Sequence, residues 1–158
     1  MTITVKDAAN IINYLYAAQA ITVTDNQHAV WADYINAEMP ELLPRDIPVS
    51  ARLAIKQWSQ HGRAWKIDVQ KFVDAARKIR ADRIAIVGTN VPLPFGLPAG
   101  KHQAYKAAVY RALGDGHPLS TAEATARREV DHQDDDVKLV GPPPTLEKFI
   151  TKIKETAE

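Results

Sequence analysis

Residues 65–84, WKIDVQKFVDAARKIRADRI, constrain the fold of this chain more than any other stretch. Val69, Phe72, Val73, Ala76 and Ile79 recur at helical spacing, so one face of a helix is built to be buried. The helix becomes steadily more basic: Arg77, Lys78, Arg80 and Arg83 crowd its last two turns, where cations suit the negative end of the helix dipole. Asp68 is its expected N-cap. A partner surface must cover the apolar face, and the sequence upstream supplies candidates for it.

The periodicity predicts three earlier helices. The first runs from about residue 5 to 19, with Thr4 as N-cap, Asp7 three residues on, and a buried stripe of Ala8, Ile11, Ile12 and Leu15 that extends to Tyr16. Residues 20–24, AITVT, are too short for a secure strand and read as a loop. The second helix starts near Thr24 or Asp25 and ends at Pro40, with His28, Trp31, Tyr34 or Ile35, and Met39 facing inwards. A connector punctuated by Pro40, Pro44 and Pro48 follows. Asp46 with a proline close behind starts the third helix, which runs to about Gln60 and turns Ala51, Ala54, Ile55 and Trp58 inwards. Gly62 stops it. Four helices of this length joined by short loops predict a compact helical domain over residues 1–85.

Beyond residue 85 the texture changes. GTNVPLPFGLPAG, at 88–100, holds three prolines and three glycines, and residues 86–100 read as a Pro/Gly-rich linker. Seven of the ten prolines fall after residue 85, which predicts a helical, partly flexible and loosely packed C-terminal region over 101–158. Its expected helices are 101–113, broken by Gly114, Asp115 and Gly116; about 120–131; and 145–156, set off by the acidic run DHQDDD and by Pro142, Pro143 and Pro144. The fold class is therefore all-α. No internal repeat is evident.

Composition narrows the function. The chain contains no cysteine, which excludes a disulfide framework, a thiolate nucleophile and a Cys-based zinc site. His28, His61, His102, His117 and His132 lie too far apart for a metal-binding motif, and Asp134, Asp135 and Asp136 lack the glycine turn and distal glutamate of a calcium loop. No phosphate loop, nucleophile elbow or other catalytic pattern is present, so no enzyme, cofactor or metal is expected. The N-terminal MTITVKDAAN has no basic segment leading into an apolar one, and no run approaches a membrane span, so a cytoplasmic protein is expected.

Charge is distributed unevenly. Residues 1–44 carry one base against five acids, 45–83 carry ten against four, and 84–158 carry nine against ten. Arg63, Lys66, Lys71, Arg77, Lys78, Arg80 and Arg83 are accordingly candidates for meeting phosphates of a nucleic acid. Interleaved Asp68, Asp74 and Asp82 leave open an ordinary solvated face or an acidic protein partner. Trp31 and Trp58 read as core, while Trp65, between Arg63 and Lys66, reads as either core anchor or stacking surface.

Four segments in this order, DAANIINYLYAAQA, VWADYI, a third helix after a proline-rich connector, and W…D…ARKIRADRI, resemble small proteins of actinobacterial phages and prophages. These are similar to the phage helicase-loader family, the loaders and inhibitors of replicative helicase. The likeness covers residues 5–85, with an echo in AYKAAVYRALGDGHP at 104–118, and the connector MPELLPRDIPVS is longer and richer in proline than the family pattern. The resemblance implies a non-enzymatic DNA-replication accessory protein that binds the replicative helicase and an initiator or DNA. In that family the C-terminal part engages the helicase, which makes Leu146, Phe149, Ile150 and Ile153 the partner-binding candidates here. A helical DNA-binding regulator, or a protein-interaction module with no direct DNA role, are the alternatives.

Overall fold

The computed structural model describes residues 2–63, 65–88 and 90–137, with side chains as far as residue 131. Among these residues the chain is all-helical, with six α-helices, two short 3-10 turns and no strand. The helix expected at 145–156, with its ridge Leu146, Phe149, Ile150 and Ile153, lies outside the described residues. The described chain divides into two units. One takes Met1–Asn90 together with Leu113–His117; the other takes Val91–Ala112 and the chain from Pro118 onward.

In the first unit α1 (Val5–Ala17) opens with a full capping box. Thr4 accepts from the Asp7 N–H at 3.1 Å, and the Asp7 carboxylate accepts from the Thr4 N–H at 3.0 Å. Ala8, Ile11, Ile12 and Leu15 are buried, but Tyr16 is 61% exposed and stands outside the stripe. Helix α2 (Gln27–Glu38) starts later than its sequence suggests, because Asn26 adopts the left-handed conformation at φ 57° and breaks the run from Thr24. It buries Trp31, Ala32 and Ile35, whereas His28 is exposed. Asn36 straps the N-terminal segment to this helix, accepting from the Ile3 N–H at 2.8 Å and donating to the Ile3 carbonyl at 2.9 Å.

Helix α3 (Ile47–Gln60) follows a 3-10 turn, Pro44–Asp46, and buries Ser50, Ala51, Ala54 and Trp58; Ile55 is only half-buried. Asp46 stands at its start without capping it by a side-chain hydrogen bond. Helix α4 (Val69–Val87) is capped by Asp68, which accepts from the Lys71 N–H at 2.9 Å. Helix α3 packs along α4 and α1 along α2, while α1 also touches α3 and α2 touches α4. Phe72, Ile11, Leu15, Ile35, Met39 and Val73 are almost wholly enclosed between them. Each contributes about 1.5–3 kcal/mol by leaving water.

The second unit has its own buried side chains. It contains α5 (His102–Gly114) up to Ala112, and α6 (Leu119–Val137). Val91, Tyr105, Ala108, Val109, Ala122, Ala126 and Val130 are buried. Lys101 donates to the Val130 carbonyl at 3.1 Å, and Arg111 pairs with Glu129 at 2.9 Å. Helix α6 continues through the acidic run DHQDDD, which the sequence suggests as a separator. No helix among the described residues is long and apolar enough to cross a membrane.

Candidate nucleic-acid interface

The seven basic candidates separate into two groups according to what holds them. Arg77, Lys78, Arg80 and Arg83 are each met by carboxylates of the first unit. Arg77 pairs with Glu38 at 2.8 Å and lies 3.8 Å from Asp74. Lys78 pairs with Asp82 one turn on, at 2.9 Å. Arg80 reaches Asp115 at 2.5 Å and is only 12% exposed. Arg83 binds both oxygens of Asp46, at 2.5 and 3.0 Å, and donates to the Gly114 carbonyl at 3.0 Å. Arg45 adds a donor to the Asp115 carbonyl. The helix α4 terminus is thus tied to the 113–117 turn and to the start of α3.

Electrostatics follow this geometry. The hydrogen bonds that Arg83 donates to Asp46 outweigh burial and hold its guanidinium above the ordinary pKa, and those to Glu38 do the same for Arg77. These arginines retain their charge, but a carboxylate stands against each. Gly114 makes room for Arg80, since a Cβ there would lie 2.9 Å from Nη2. Gly116, at φ 84°, turns the chain back with a backbone that L side chains rarely adopt.

Arg63, Lys66 and Lys71 sit instead at the corner between α3 and α4, braced by aromatic rings. The Arg63 guanidinium lies 5.3 Å and the Lys66 ammonium 5.7 Å from the centre of the Trp58 ring. Lys71 stands 4.6 Å over Trp65 and pairs with Asp68 at 2.5 Å. Trp58 is buried and its indole N–H donates to the Trp65 carbonyl; Trp65 is half-buried, with the His61 ring 6.0 Å away. For Asp68, burial opposes ionisation, but hydrogen bonds from the Lys71 side chain and backbone overcome it and hold the carboxyl below its ordinary pKa.

Lys66 also lines a groove of about 500 Å³ with Tyr16, Ala17, Gln19 and Ile21. Its ammonium donates to the Gln19 carbonyl at 2.7 Å, and the neighbouring Ile67 N–H donates to the Ala20 carbonyl at 2.8 Å. Tyr16 is the residue that helical periodicity alone does not single out. A signal was nonetheless present: residues 47–67 contain no Asp or Glu, so the cations within that stretch have no carboxylate among their own segment. Lys56, Arg63 and Lys66 meet no carboxylate among the described residues.

In the second unit, a cavity of about 420 Å³ is lined by Leu93, Tyr105, Glu123 and Arg127 among others, and burial raises the Tyr105 phenol above its ordinary pKa. Among the described residues no three His, Asp or Glu side chains gather where they could hold a metal ion. Comparison with known protein families, with characterised proteins and with solved structures finds no match to this chain.

Proposed function

We propose that this chain is a non-enzymatic adaptor of phage or prophage DNA replication, acting in the cytoplasm in the manner of a helicase loader. Its four-helix N-terminal domain serves an initiator or DNA. Its C-terminal part, beyond a proline-rich linker, engages the replicative helicase through Leu146, Phe149, Ile150 and Ile153.

One observation favours an adaptor over a regulator that inserts helix α4 into a major groove. Arg77, Lys78, Arg80 and Arg83, the cations such a helix would need, are each engaged by a carboxylate, on Glu38, Asp82, Asp115 and Asp46 respectively. A duplex-reading helix presents its basic side chains to phosphate and base edges rather than to its own domain.

The test is binding of the full chain to the replicative helicase of its host, against a variant lacking residues 141–158. Loss of binding on truncation, with helicity of the remainder retained, supports the proposal. Replacing Phe149 and Ile150 together by Ala is expected to weaken binding at least about tenfold, in line with the apolar area removed. Equal binding by the truncated and full chains overturns the assignment of the tail.

A further inference from the structure

The two groups of cations differ in net charge as well as in position. A carboxylate neutralises the cation it holds. An indole face positions a cation yet brings no formal charge of its own. Arg63 and Lys66, both on the Trp58 ring, therefore remain two uncompensated positive charges held in place. Lys56, on the preceding helix, is exposed and likewise pairs with no carboxylate among the described residues.

Lys66 belongs to this corner and to the groove at the end of α1 at once. Its bond to the Gln19 carbonyl, with that of Ile67 to Ala20, fixes the link 65–67 against the groove wall. Tyr16 stands on that wall with 61% of its surface exposed, while the buried stripe of α1 uses Ala8, Ile11, Ile12 and Leu15. Packing of the core does not account for an aromatic ring there. An exposed ring beside a fixed ammonium is the pairing by which proteins hold unstacked bases and their phosphates.

We infer that this groove binds single-stranded nucleic acid, with Tyr16 stacking on a base while Lys66 and Arg63 meet neighbouring phosphates. A base in an intact duplex has no free face to offer Tyr16, which favours a single strand. An acidic peptide would satisfy the cations but has no use for the ring, so Tyr16 separates the two partners. Its test needs no helicase, so its failure is distinguishable from a failure of helicase binding through residues 141–158.

The experiment is fluorescence anisotropy of a labelled oligothymidine of about 12 nucleotides, titrated with the full chain over a series of salt concentrations. Binding should weaken steeply with salt. Arg63→Gln with Lys66→Gln should flatten the plot of log K against log salt by about 0.7 for each phosphate that is no longer neutralised. Tyr16→Ala should weaken binding about tenfold with the salt slope unchanged, and Tyr16→Phe should restore it. Arg77→Gln with Lys78→Gln should leave binding as in the wild type, and circular dichroism checks that every variant is folded. Absence of binding by the wild type at low salt overturns the inference. So does a Tyr16→Ala variant that binds as the wild type does, since the ring would then hold no base.

Discussion

Arg83 holds Asp46 by both carboxylate oxygens, with Nη2 to Oδ1 at 2.5 Å and Nη1 to Oδ2 at 3.0 Å, joining the last turns of α4 to the start of α3. The Asp46 side chain is 3% exposed and that of Arg83 28%, so the aspartate depends on this partner for its charge to be tolerated. Arg83→Met is expected to destabilise the fold by about 2–4 kcal/mol, since it strands a buried carboxylate. Arg83→Met combined with Asp46→Leu should cost less than the two single changes added together. Urea midpoints at constant slope measure both effects.

Trp58 is buried while two cations rest on its ring and its N–H satisfies the Trp65 carbonyl. Trp58→Ala should therefore cost about 3–5 kcal/mol. Trp58→Phe keeps most of the packing but loses the donor, and should cost about 1–2 kcal/mol. A change near zero for the alanine variant in chemical denaturation would refute the buried role.

The 113–117 turn is sensitive at two glycines for different reasons. Gly116→Ala forces an L side chain into φ 84°, with an expected loss of about 1 kcal/mol. Gly114→Ala has an ordinary backbone but places a Cβ 2.9 Å from Arg80 Nη2, and should displace that guanidinium from Asp115. In a double-mutant cycle with Arg80→Met, the Gly114 effect should shrink; additivity would show that Arg80 does not transmit it.

Stability should fall in acid through Asp7 and Asp68. The side-chain and backbone hydrogen bonds with Thr4 lower the Asp7 pKa, and those with Lys71, against burial, lower that of Asp68. A carboxyl lower in the folded state than in the unfolded one contributes stability above the unfolded value, about 3.9. That contribution is lost as pH falls through the folded value. Thr4→Ala, expected to cost about 1 kcal/mol at neutral pH, should differ less from the wild type in acid. Tyr105 acts in the opposite sense: burial raises its pKa, so its contribution is present below the unfolded value near 10 and disappears as pH rises through the folded one. Urea midpoints across the pH range, with ultraviolet titration of tyrosinate, check both signs.

Phe95, in the loop before α5, is fully exposed. Phe95→Ser is expected to change the thermal stability of the chain by no more than about 0.5 kcal/mol. A larger loss in calorimetry would mean that the ring is covered in solution.

Much of the helical framework could be read from neighbouring residues. The Thr4–Asp7 box, the Asp68 cap and the Gly62 turn at φ 69° act within a single turn of chain, and each ends or begins a helix where local chemistry dictates. Trp31, Trp58 and Phe72 are buried because their spacing puts them on apolar faces. Local rules failed where a competing conformation intervened, as with left-handed Asn26, or where a residue sat at the boundary of a face, as with Tyr16 and His28.

The character of the basic residues, by contrast, was decided only by tertiary structure. Composition makes Arg63 and Arg83 alike. Folding brings Arg83 to Asp46, 37 residues away, and Arg80 to Asp115, 35 residues away, while Arg63 meets an indole face. Asp46 itself reads as a helix start, yet its carboxylate serves Arg83, and its backbone carbonyl accepts from Ser50 at 2.8 Å. Periodicity and caps depend on interactions within a few residues and survive in the one-dimensional pattern. Which carboxylate answers which cation depends on the packing of distant helices, and with it whether a positive charge is cancelled or left free for a partner.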